Sequence, residues 1–178
     1  MSIKDLATGT VITLLIGGTA YTVSQTDVIR NFADDTGLTQ EQAEQYINKI
    51  SDEELVSFNQ LGSDFINDGQ ELLSLASEID CVNYEYEWES ASLSCYQGKT
   101  QIEKIGRDSI SLGQAYRKLD SDSASADDIS ETIVLIDQLN SDYQLQIVNS
   151  VLDRSTIDEI RRTNSYNKAI LQAALEGS

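Results

Sequence analysis

The chain has no proline and no histidine among its 178 residues. Without proline, long helices run uninterrupted, and an all-β protein rich in turns is a poor fit. The missing histidine excludes more. It removes Ser-His and Cys-His nucleophilic pairs, histidine zinc sites, histidine-ligated haem and the usual proton shuttle near neutral pH. Cysteine is scarce as well: Cys81 and Cys95 are the two present. They are not spaced C-x-x-C, so zinc-ribbon, thioredoxin-like and c-type haem readings fail. Basic residues are few, with Lys+Arg 12 against Asp+Glu 30 and a formal net charge of −18. Such a surface repels phosphate backbones and anionic headgroups, so no nucleic-acid partner is expected.

What is present reads as helix. Hydrophobic residues make up 40% of the chain, enough for a packed core. The organising stretch runs from Ser51 to Ile79. Leu55, Phe58, Gly62, Phe65, Gly69, Leu72, Ala76 and Ile79 recur at alternating steps of three and four, the pattern of a helix with one narrow seam. Ser51 and Glu54 form a capping pair that opens it. Glycine inside a helix costs roughly 1 kcal/mol relative to alanine, so Gly62 and Gly69 point to close approach of another backbone. A following helix, from about Thr100 to Leu119, carries Gly106 and Gly113 at the same interval. The two predict an antiparallel hairpin packed at short range; the same seam would also pair two chains as a homo-oligomer.

The remaining helices follow from local signals. Residues 24–38 continue as helix through Val28, Ile29 and Phe32 until Asp34-Asp35-Thr36-Gly37 stops them. Thr39 and Gln42 form a capping box ahead of Ala43, Tyr46, Ile47 and Ile50. A broad apolar stripe from Ile129 to Leu152 predicts a buried helix. Ser155 with Asp158 marks a fresh N-terminus or a kink before Ile157, Ile160, Ile170 and Leu171.

Residues 6–23 carry no charge, and eighteen residues at about 1.5 Å rise nearly span a ~30 Å hydrocarbon core. A transmembrane anchor is the favoured reading. A signal peptide cleaved near Gly18-Thr19-Ala20 and a buried helix of the main domain are the alternatives. Lys4 before the segment and Arg30 after it leave the positive-inside rule little to decide.

Between the seam helix and its partner, Val82, Tyr84, Tyr86 and Trp88 alternate with Asn83, Glu85, Glu87 and Glu89. Period two implies an extended excursion with an aromatic face and an acidic face. Tyr84, Tyr86 and Trp88 belong to the residue types enriched at binding hot spots, and Glu85 and Glu87 would draw a basic protein partner. Covering the open end of the bundle is the competing role. Cys81 and Cys95 bracket the excursion within bridging reach, and a disulfide there would place the domain outside the cytosol. Two buried free thiols are the alternative.

Acidic clusters do not amount to a metal site. Asp120, Asp122 and Glu131 match positions one, three and twelve of an EF-hand loop, but Ala124, Ser125 and Asp127 break the pattern. A carboxylate di-iron site lacks its histidines. No cofactor and no catalytic residue is expected.

The expected fold is all-α: an antiparallel helical bundle with an N-terminal transmembrane helix and a small β-like excursion at residues 81–95. Its parts are an anchor or signal segment (1–23), a juxtamembrane helix or linker (24–38) and an acidic helical-bundle domain (39–178). The expected function is a non-enzymatic, membrane-anchored binding or structural subunit of an envelope complex. Residues 6–23 would sit in the membrane and the domain in the periplasm or another extracytoplasmic space. The alternative is an exported soluble domain that binds a small ligand or cation. An enzyme working with carboxylates or tyrosines is a third reading, carried by no motif.

Overall fold

A computed structural model of the protein describes residues 11–51, 57–82 and 94–177. Within them, strands β1 (Val11–Ile16) and β2 (Thr19–Ser24) precede helices α1 (Gln25–Thr36), α2 (Gln40–Ser51), α3 (Phe58–Glu78), α4 (Cys95–Leu119), α5 (Ala126–Asp142), α6 (Gln146–Val151) and α7 (Arg154–Glu176). The molecule is mostly helical, with one small two-stranded sheet.

That sheet corrects the membrane-helix reading of residues 6–23. β1 and β2 pair antiparallel, with Ile16 opposite Thr19 and Leu14 opposite Tyr21. Gly17 and Gly18 make the two-residue turn at φ 58° and 71°. Both values lie in the left-handed region that glycine enters without a Cβ penalty, which is what a type I′ hairpin turn requires. Leu14, Ile16, Tyr21 and Val23 point inward while Leu15 is half exposed. A period of two, with β-branched residues on both sides of Gly-Gly, overrides the absence of charge. Among the described residues no helix is long and apolar enough to cross a membrane.

The hairpin is built into the bundle. A Cβ on Gly17 would lie 2.0 Å from the Ala124 carbonyl oxygen in the α4–α5 loop, and one on Gly177 would lie 2.1 Å from the Thr22 oxygen. Both contacts need glycine for steric reasons. α1 follows without a break and ends where Gly37 turns left-handed at φ 70° and donates its N–H to the Ala33 carbonyl. Thr39 and Gln42 cap α2 reciprocally, at 3.0 and 3.3 Å.

The long seam helix begins later than Ser51, which is instead the last residue of α2. α3 starts at Phe58, where the Ser57 hydroxyl accepts from the Gln60 N–H. α4 starts at Cys95, earlier than Thr100, because Ser94 and Gln97 form a full capping box. α7 starts from Asp153, whose carboxylate accepts from the Thr156 N–H.

α3 and α4 pack as an antiparallel pair with little space between their backbones. A Cβ on Gly62 would lie 2.5 Å from the Gly113 oxygen, and one on Gly69 would lie 2.5 Å from the Gly106 oxygen. Gly113 and Gly106 face Gly62 and Gly69 in return, so the glycine faces are filled within one chain. Phe58 and Phe65 stack on Tyr116 at 5.9 and 5.8 Å. The rest of the bundle closes around Phe32, which stacks on Tyr46 of α2 and meets Tyr166 of α7 edge-on.

Candidate functional site

α7 carries a polar stripe into the bundle. Asp158, Arg161, Arg162, Ser165 and Lys168 recur at helical spacing, and the helix is flanked by α1 and α5. Between the three helices opens a cleft of about 430 Å³ lined by Asp35, Thr36, Asp137, Asn140, Ser141, Gln144, Asp158, Arg161, Arg162 and Ser165. Its volume suits a small ligand. Its lining is polar throughout, so recognition there runs on charge and hydrogen bonds.

The helices meet in a fixed register. Buried Lys168 donates to Asp35 of α1 at 2.5 Å and to Asp137 of α5 at 2.6 Å. One turn back on α7, buried Asn164 donates to the Asn140 oxygen at 3.0 Å. Asp137 with Lys168 and Asn140 with Asn164 fix α5 antiparallel to α7. Burial lowers the Lys168 pKa, but the hydrogen bonds it donates to Asp137 and Asp35, and their charges, outweigh this and raise it above that of free lysine. Lysine therefore stays charged throughout the neutral range and ties two carboxylates together.

The arginines are held differently. Arg162 sits over the Tyr46 ring, its guanidinium carbon 6.0 Å from the centroid. The Arg161 Nε is buried and has no hydrogen-bond acceptor among the described residues. Neither guanidinium has a carboxylate at ion-pair distance there, whereas Arg30, Lys104, Arg107, Lys118 and Lys168 each do. Lys49, Lys99, Arg117 and Arg154 also stand outside these ion pairs, so what sets Arg161 and Arg162 apart is that both line the same cleft. A buried donor without a partner costs about 1–3 kcal/mol.

A second charged cluster lies apart from the cleft. Lys104 of α4 donates to Asp142 at 2.5 Å and to Asp108 at 2.8 Å. Burial, with the hydrogen bond and then the charge of Asp108, raises the Asp142 pKa despite the bond it accepts from Lys104. Burial works against the Asp108 charge too, yet hydrogen bonds from Lys104 and Asp142 and the nearby Arg107 leave its pKa lowered. The cluster joins α4 to the end of α5 and reads as a structural tie.

Residues marked by the sequence lie elsewhere. Cys81 and Cys95 form a disulfide with Cα atoms 5.6 Å apart, closing one end of the α3–α4 pair. Gly62, Gly69, Gly106 and Gly113 line the interface between those helices. Tyr84, Glu85, Tyr86, Glu87 and Trp88 lie outside the described residues, as do the strands expected of the excursion. Asp120 is the C-cap of α4, and no group of three or more acidic or cysteine side chains is placed to hold a metal among the described residues. Basic-residue content does not single out the cleft: α7 carries Arg154, Arg161, Arg162 and Lys168, while α4 carries five of the twelve basic residues.

No family model, no curated protein and no solved structure matches this chain.

Proposed function

We propose that the protein is a non-enzymatic binding module that holds a small polar ligand bearing an anionic group in the cleft between α1, α5 and α7. The observation that carries this reading is the pair of guanidiniums, Arg161 and Arg162, lining the cleft without a carboxylate partner among the described residues, with the Arg161 Nε buried. Asn140, Ser141, Gln144 and Ser165 add neutral donors and acceptors. The Cys81–Cys95 bridge supports an oxidising compartment as the place of action.

Thermal unfolding with a panel of small carboxylates, phosphates and amino-acid derivatives tests this at matched ionic strength. A ligand at a hundred times its Kd adds about 2.7 kcal/mol, or roughly 5–10 °C in Tm for a chain of this size. Arg161→Gln and Arg162→Gln should each remove the shift. A shift of equal size in both variants would place the binding elsewhere.

A second reading keeps the disulfide end as a surface for a basic protein partner. The exposure of Leu75, Val82 and Tyr96 at that end favours it. Replacing Tyr86 and Trp88 together by alanine should then abolish partner co-purification without unfolding the domain, and intact co-purification would end that reading.

A further inference from the structure

The cleft is electrically two-ended. Along α7, Arg161 and Arg162 stand toward one end and Lys168, tied to Asp35 and Asp137, toward the other. Lys168 follows Arg162 by six positions, a rise of about 9 Å along the helix axis at 1.5 Å per residue. Two carboxylates share one ammonium at the Asp35–Asp137 end, leaving that end net negative. The Asp137 side chain is 52% exposed, so it is open to a second cation. The C-terminus of α1 lies at the same end, with Asp35 and Thr36 in its last turn, and the negative pole of the helix dipole adds to the field there. The arginine end holds Arg161 and Arg162 against one carboxylate, Asp158 a turn earlier on α7, and keeps a net positive charge.

A ligand bearing only negative charge would meet repulsion at one end of this cleft and from a molecule of net charge −18 around it. A ligand with a cation at one end and an anion at the other carries no net charge into that field and sets each charge against the end of opposite sign. Resting on the anion-binding reading above, we propose that the ligand is a short zwitterionic peptide of about three residues. Its terminal carboxylate pairs with Arg161 and Arg162, and its terminal ammonium lies against Asp35 and Asp137. Three extended residues span about 10 Å, matching the separation of the two ends, whereas the charges of a single amino acid are too close together to reach both. The middle of the cleft suits a peptide backbone. The Asn140 oxygen is taken by Asn164, which leaves its amide as a donor, and Gln144 offers both a donor and an acceptor.

Isothermal titration of the whole, disulfide-bonded protein at constant ionic strength tests the assignment. The probes are alanine, trialanine, N-acetyl-trialanine and trialanine amide. Trialanine should bind best, and blocking either end or shortening to alanine should weaken binding at least tenfold. In Asp137→Asn the preference for trialanine over its N-acetylated form should shrink several-fold. In Arg162→Gln both peptides should weaken together. Equal binding of trialanine and N-acetyl-trialanine would overturn the ammonium end while leaving anion binding at the arginines intact. Equal binding of alanine and trialanine would overturn the length argument. No binding by any of the four, and none by simple carboxylates, would overturn this proposal and the anion-binding reading together. The blocked peptides keep the test decisive even where a variant fails to fold.

Discussion

Two glycines side by side separate backbone strain from steric contact. Gly17 and Gly18 share a positive φ, but only Gly17 has atoms within reach of an added Cβ. A left-handed residue with a side chain costs about 1–2 kcal/mol, so Gly18→Ala should destabilise by roughly that much. Gly17→Ala adds a clash with the Ala124 backbone and should cost about 2–5 kcal/mol in all. Urea unfolding of the two variants checks the contrast, and equal losses would mean that the hairpin does not dock on the α4–α5 loop. Two carboxylates set the behaviour in acid. Hydrogen bonds from Lys118 and Ser125 hold the Asp128 pKa at about 2, and bonds from Ser155 and Thr156 hold Asp153 at about 2. Both are lowered from 3.8, so their stabilising contribution is present above the unfolded value and is lost as pH falls through about 2. Stability should therefore drop between pH 4 and pH 2, and less steeply in Asp128→Asn and Asp153→Asn. Denaturant midpoints across that window give the slope.

At the scale of elements, the α3–α4 pair is the most sharply determined part of the molecule. Alanine in place of a helix glycine gains about 1 kcal/mol on propensity alone. At Gly113 the new Cβ would lie 2.5 Å from the Gly62 oxygen, and overpacking of that kind costs about 1–3 kcal/mol. Gly113→Ala should thus destabilise, and a gain in stability would show the interface to be open. Reduction of Cys81–Cys95 should lower stability by about 3 kcal/mol on the loop-entropy account, read as a shift in denaturant midpoint with and without reductant. The glycine spacing and the Thr39–Gln42 cap were legible because both are short-range patterns. The start of α3 was not, because Ser51–Glu54 and Ser57–Gln60 offer equally good local caps, seven residues ahead of Phe58 and four ahead of Leu61; Ser51 ends α2 and Ser57 caps α3. The N-terminal hairpin is hard to read because the uncharged length of residues 6–23 imitates a membrane span, while its own signal, the alternation on either side of Gly17-Gly18, is short.

For the whole molecule, the bundle brings distant segments together, and that is why the cleft escapes a local reading. Lys168 meets Asp35 across 133 positions and Asp137 across 31. A motif search sees three unrelated polar residues there. That Arg161 and Arg162 line one cleft with no carboxylate at ion-pair distance among the described residues follows only from the fold. Charge acts globally as well. At −18 the folded state repels itself, and added salt screens that repulsion. Tm should rise between low and moderate sodium chloride, and a fall would mean that ion pairs such as Lys168–Asp137 dominate over self-repulsion. This response is also why ligand measurements on this protein need matched ionic strength.

Binding of an anionic ligand at the Arg161 and Arg162 guanidiniums is visible directly by NMR. With ¹⁵N-labelled protein, the Arg161 Nε–H resonance is assigned by its loss in Arg161→Lys and followed during titration with trialanine at constant ionic strength. The account predicts a saturable shift of that resonance, with Arg162 moving along the same binding curve. A resonance that stays in place while other sites respond, or that only drifts linearly to the highest concentration, would contradict it.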